Sequence, residues 1–147
     1  MGTDVILQPV PIFQSTRHFE VVTWSPGHGG LLLRTRPVES LPPDEPFDRI
    51  EVWFKPADVV CLPVRLYGLT VDDAESDAKG RITRSLGRDL AAWENAYVIG
   101  SNDGPAGWLV GGSVNGRADR KPFDAPTSFN GWSAQPGVTE LFSHNVR

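Results

Sequence analysis

The chain has 147 residues, and its 15 glycines and 13 prolines exceed the roughly 12% usual in ordinary proteins, which argues against a helical bundle because both weaken helix interiors. With 39% hydrophobic residues and five tryptophans, it carries too much apolar matter for a disordered chain. Lys+Arg 14 against Asp+Glu 18 gives a net charge of −4, the wrong sign for a general nucleic-acid binder, whose affinity comes from neutralising phosphates.

One domain over residues 1–147 is expected, and its elements read in chain order as follows. Residues 1–17, with Pro9 and Pro11, form an N-terminal arm or an edge strand. The β core, 18–116, opens with alternating β-branched and aromatic residues from His18 to Trp24, which is strand chemistry. The turn Ser25-Pro26-Gly27-His28-Gly29-Gly30 returns the chain into Leu31–Thr35 as a first hairpin. A loop holding Pro37, Pro42, Pro43 and Pro46 follows, which excludes a helix or a central strand there.

Asp48 to Lys55 places Ile50, Val52 and Phe54 on one face and Glu51, Trp53 and Lys55 on the other, with Pro56 as its end. Ala57 to Leu62 reads as a separate short buried strand with Cys61 as a small buried hydrophobe, and Val64, Leu66 and Leu69 continue after Pro63. The polar stretch Asp72 to Ala92 holds one short helix, placed at Asp89–Glu94 with Asp89 as its cap. Asn95–Gly100 and Trp108–Val114 make a second hairpin, and 117–147 is a turn-rich tail pinned on the core by aromatic anchors. The expected fold is mainly β: an antiparallel sandwich or half-open barrel with one short helix and an extended C-terminal tail.

Standard sites fail one after another. Gly27-His28-Gly29-Gly30 lacks the final glycine and the helix of a dinucleotide fingerprint, and nothing matches a P-loop. Gly111-Gly112-Ser113-Val114-Asn115 has Asn115 where a nucleophile elbow needs glycine. The acidic run Asp72, Asp73, Glu75, Asp77 places Ala78 and Arg84 where a calcium loop needs glycine and glutamate, so it reads as a solvated loop. His18, His28 and His144 share no metal-ligand spacing, and a lone cysteine makes neither a disulfide nor a cysteine zinc site. The clusters Arg81, Arg84, Arg88 and Arg117, Arg120, Lys121 read as solvated faces. No metal and no cofactor is expected.

The tryptophans are the remaining signal. Strand alternation sets Trp24 and Trp53 on the face opposite the aliphatic residues, where indoles bind a partner unless the tail folds back over the sheet. His28 at a hairpin tip and the rim charges Glu51 and Lys55 complete the candidate binding set. The chain carries no basic, apolar leader and no apolar run long enough for a membrane helix. That points to a soluble cytoplasmic protein.

The segments Trp24-Ser25-Pro26-Gly27-His28-Gly29-Gly30-Leu31-Leu32-Leu33-Arg34, Arg49-Ile50-Glu51-Val52-Trp53-Phe54-Lys55, Leu62-Pro63, Gly68-Leu69-Thr70-Val71 and Gly107-Trp108-Leu109-Val110-Gly111-Gly112 resemble a group of short uncharacterised bacterial proteins. The resemblance covers about half the chain and implies a small bacterial protein, without an activity or a site. The function expected is non-catalytic binding, of another protein or by self-association, comparable to immunity proteins by analogy of composition only. The alternatives are small-ligand or carbohydrate binding in a β cleft on Trp24 and Trp53, and then a hydrolase using His28 with carboxylates.

Overall fold

A computed structural model of the chain describes residues 10–25, 29–36, 48–129 and 136–145. The described residues form seven strands and one helix in the order β1 (Phe13–Ser25), β2 (Gly30–Thr35), β3 (Arg49–Cys61), β4 (Arg65–Asp73), α1 (Ser76–Leu86), β5 (Asn95–Ser101), β6 (Gly104–Asp119) and β7 (Thr139–His144). The protein is thus mainly β, with one antiparallel sheet and a single described helix.

Strands β1, β2 and β3 form a meander, and β4 returns to pair with the other edge of β1. That is the 4-1-2-3 order of a Greek key. β5 then pairs β4, β6 pairs β5, and β6 also pairs β3 along most of its length. The pairings therefore run in a circuit of six strands, and β7 joins β6 at Val114–Ala118, where β5 has ended. Phe19, Leu33, Val52, Phe54, Leu69 and Tyr97 fill the inside of this curled sheet and are buried completely or nearly so. The interior is packed with side chains and is not a ligand cleft.

Three expected boundaries change. The chain does not end a strand at Pro56: β3 runs through it, across a cis Lys55–Pro56 peptide. Proline removes a ladder donor, but β2 stops pairing at Phe54, and the β6 register passes from Lys55–Ser113 to Ala57–Gly111. No neighbouring strand asks for the missing N–H. The pyrrolidine ring also needs room, which Gly112 supplies: a Cβ there would stand 2.6 Å from Pro56 Cδ and 2.8 Å from Lys55 O. Tyr97 closes the same spot by donating its hydroxyl to the Gly112 carbonyl, and burial pushes that phenol up to about 12.

The helix lies at Ser76–Leu86, not Asp89–Glu94. Its apolar stripe is Ala78, Ile82 and Leu86, each one turn apart, and the hydrophilic remainder and Gly80 hide it from a reading of composition. Gly87 ends it in the left-handed conformation, φ 72° and ψ 20°, with its N–H on Thr83 O and Arg84 O. Asp77 in the first turn and Arg84 in the last agree with the helix dipole. Ile82 packs with Ala96 and Val110 on the outside of β5 and β6. The acidic run is consequently no loop, because Asp72 and Asp73 end β4 and Asp77 lies in α1.

Two glycine substitutions are expected to act with opposite sign in urea unfolding. Gly112→Ala should destabilise by about 1–3 kcal/mol by overpacking against Pro56. Gly80→Ala, with only Arg84 Nη1 nearby at 3.6 Å, should stabilise the helix by about 0.5–1 kcal/mol.

The tail also takes a definite course. Residues 120–129 fold back over the outer face of β2, β3 and β6, where Phe123 and Phe129 meet Arg34 and Arg117. β7 brings the Phe142 ring to 5.0 Å from Phe13, stacked at 21°. Trp132 falls outside the described residues.

Candidate functional site

On the outer face, pairing sets Arg34 beside Glu51 and Glu51 beside Arg117, with Leu32, Trp53 and Asn115 in the next row. Strand alternation puts these residues outside the core, but the tail then covers them. Glu51 is 1% exposed, which corrects its expected place on a solvent rim. Arg34 donates from Nε and Nη2 to Glu51 Oε2 at 3.1 and 2.9 Å. The Ser128 backbone N–H and hydroxyl each donate to Glu51 Oε1 at 2.8 Å. Arg49 binds Asp119 with Nε and Nη2 at 3.1 and 2.8 Å, and also donates to the carbonyls of Ala125 and Pro126.

Burying such charges is costly unless each is paired and hydrogen-bonded, and strands and tail supply those partners for Arg34, Arg49, Glu51 and Asp119. Arg117 is 6% exposed, with its guanidinium over the Phe129 ring and donating to Ser128 O. It is therefore no part of a solvated basic face. This network fastens the tail to the sheet.

The expected binding residues separate. Trp53 is half-buried: its indole N–H donates to Gly29 O at 3.0 Å, its ring lies 5.2 Å from Phe129, and the Lys55 ammonium stands 4.9 Å from its centroid. Lys55 is exposed. His28 falls outside the described residues. Trp24 does not share a face with Trp53, as the alternation implied. A bulge between Val21 and Thr23 advances the register, so Thr23 pairs with Leu32 and Trp24 with Leu31, whose side chain points into the core. Trp24 stands at the end of the curled sheet, 48% exposed, and its indole N–H donates to Ala57 O at 3.0 Å.

Ala57 begins a second bulge, between Ala57 and Val59, which contains Asp58. Trp93, 64% exposed, neighbours the Asp58 carboxyl. Beside it, Arg88 grips Glu94 with two bonds of 2.7 and 2.9 Å, and Glu94 Oε1 also accepts the Ala91 N–H at 2.7 Å. That turn occupies the segment expected to be helical. Two exposed indoles thus border this bulge of β3, Trp24 bonded to Ala57 O and Trp93 neighbouring Asp58.

Sequence reading missed Asp58, Arg88, Trp93 and Glu94. The legible signal was Asp58 itself, a lone charge in the apolar run Ala57–Leu62. Cys61, expected to be buried, is exposed at the end of β3, because alternation after the bulge turns it outward.

The two carboxyls are pushed apart. Arg88 first, then the Ala91 N–H, hold Glu94 at about 2 against the opposing effect of burial. Burial first, then the Glu94 neighbour, raise Asp58 above 3.8. A carboxyl depressed in the fold stabilises it above the unfolded value near 4.5, and that contribution is lost as pH falls through about 2. The raised Asp58 has the opposite sign, since its cost is present at neutral pH and is relieved as the group protonates. Thermal unfolding against pH should therefore show Glu94→Gln losing stability at neutral pH and flattening the decline from about 4.5 to about 2. Asp58→Asn should leave neutral stability unchanged or raised.

No three His, Cys, Asp or Glu side chains group as a metal site among the described residues. No described helix is long and apolar enough to cross a membrane. No protein-family model matches the chain, and comparison with curated proteins and with solved structures gave no match.

Proposed function

We propose that the protein is a non-catalytic binding protein that engages another protein through Trp24, Asp58 and Trp93. The observation that carries this reading is the pair of exposed indoles bordering the bulge of β3, 48% and 64% open to solvent. Tryptophan is the commonest anchor of protein interfaces, because a rigid ring buries much surface for little lost entropy. The Trp24 ring is already held by its N–H on Ala57 O, so binding orders little there that was free. The packed interior supports a surface site over one inside the curled sheet. Trp53 and Lys55 belong to the tail contact, with Lys55 as its exposed edge.

The test is affinity capture from the protein's native cells with wild type and a Trp24→Ala/Trp93→Ala variant of equal thermal stability. Proteins retained by wild type should be lost from the variant. Retention of all of them by the variant overturns the reading.

A further inference from the structure

We propose that the groove beside α1 is a second site, which binds a short peptide of about three residues with both ends free. Its ammonium meets Asp72, its carboxylate meets Arg81, and its apolar side chain lies on Trp108 between them. Trp24, Asp58 and Trp93 are not among the residues lining this groove, so the site stands apart from the surface described above.

The first argument is shape. The helix docks on β5 and β6 by the narrow stripe Ala78, Ile82 and Leu86. Beside that stripe it leaves a groove of about 960 Å³, at the upper end of the roughly 300–1,000 Å³ of small-molecule sites. Val98 and Trp108 are a cross-strand pair and therefore share one face of the sheet. Both are half-buried and line the groove. Val10, 89% exposed, adds an apolar rim.

The second argument is charge. Asp72 and Glu75 line the groove where β4 passes into α1, and Arg81 lines it from the helix. Arg81 follows Glu75 by six positions, which at a rise of about 1.5 Å per residue is ~9 Å along the helix. An extended tripeptide spans about 10 Å, so its two charged ends match this separation. Asp72 is half-buried, and among the described residues neither its carboxylate nor the Arg81 guanidinium makes a hydrogen bond or an ion pair. Glu75 gives the helix no side-chain cap bond. Asp73 differs, because Asn95 donates to it and His144 Nε2 stands 3.5 Å away. An acid and a base are thus both open across an apolar floor. A partly desolvated carboxylate gains from a cation brought to it, and a guanidinium suits a terminal carboxylate.

The probe is the tripeptide alanyl-phenylalanyl-alanine, compared with its amino-acetylated form, its carboxyl-amidated form and the form blocked at both ends. Binding is followed through the indole N–H signal of Trp108 in heteronuclear NMR. The free peptide should shift that signal saturably, and either single block should weaken binding at least about tenfold. Asp72→Asn should weaken the free peptide by a similar factor while leaving the acetylated form unchanged. Arg81→Gln should do the same for the free peptide while leaving the amidated form unchanged. Unchanged thermal stability confirms that both variants fold, and the four peptides test wild type without any variant.

No saturable shift of Trp108 by the free peptide would overturn the proposal. Equal binding of the doubly blocked form would also overturn it, since the groove would then take the interior of a chain. Full binding of the free peptide by both variants would do so too. Shifts at Trp24 and Trp93 in place of Trp108 would move the peptide to the other surface and leave the groove without a ligand.

Discussion

Glu51→Ala is expected to destabilise the protein by about 3–5 kcal/mol, a large part of the roughly 5–15 kcal/mol typical of a domain. The carboxylate is 1% exposed and receives Arg34 twice and Ser128 twice, with Arg49 Nη2 at 3.5 Å. Alanine removes the acceptor for all of them and leaves Arg34 as a buried charge without its carboxylate. The Ser128 N–H, also buried, loses its partner, and an unmet buried donor costs about 1–3 kcal/mol.

The damage should have a direction as well as a size. Ser128 is the point where the tail is pinned to β3, so limited proteolysis of the variant should cut within 120–129 before the strands. Glu51→Gln, which keeps an acceptor oxygen, should cost less. Urea unfolding measures both, and a loss under about 1 kcal/mol for alanine would place the network in water rather than in the fold.

The second large effect concerns binding. Trp93→Ala should weaken the partner complex by about 2 kcal/mol or more, near thirtyfold, as expected for an interface anchor. Its ring is 64% exposed, so the free protein should change stability by only about 0.5 kcal/mol. Trp24→Ala should differ. Its indole N–H satisfies Ala57 O at the edge of β3 that β2 no longer covers, so this variant should lose affinity and about 1 kcal/mol of stability together. Calorimetry of the complex and thermal unfolding of the free variants separate the two. Equal affinity for wild type and Trp93→Ala would remove Trp93 from the interface.

Much of the β architecture was legible because strand chemistry is local. The alternation Ile50, Val52, Phe54 and the run Leu31–Leu33 mark their strands directly, and the described hairpin of β5 and β6 falls where its apolar segments predict. The helix was hidden because a narrow stripe, Ala78, Ile82 and Leu86, docks an otherwise hydrophilic segment. Pro56 misled because its usual effect depends on a neighbour needing its N–H, and here no neighbour does.

The candidate site was less legible still. Alternation counts residues, and a bulge adds one. The bulge after Val21 turned Trp24 away from the face of Trp53, and the bulge after Ala57 placed Asp58 beside Trp93.

The glycine and proline excess, the β-branched and aromatic alternation and the absence of long apolar runs determined by themselves that the protein is mainly antiparallel β. Those properties act over a few residues, where backbone freedom and side-chain period decide the outcome. The fate of the charges belonged to the tertiary structure alone. Glu51 looks like a surface residue until Ser128, 77 positions away, closes over it, and Asp58 looks like a lone charge in an apolar run until Trp93 and Glu94 arrive beside it from beyond the helix. Whether a polar side chain meets water or a partner depends on which distant segment covers it, and that is decided only when the sheet curls and the tail folds back.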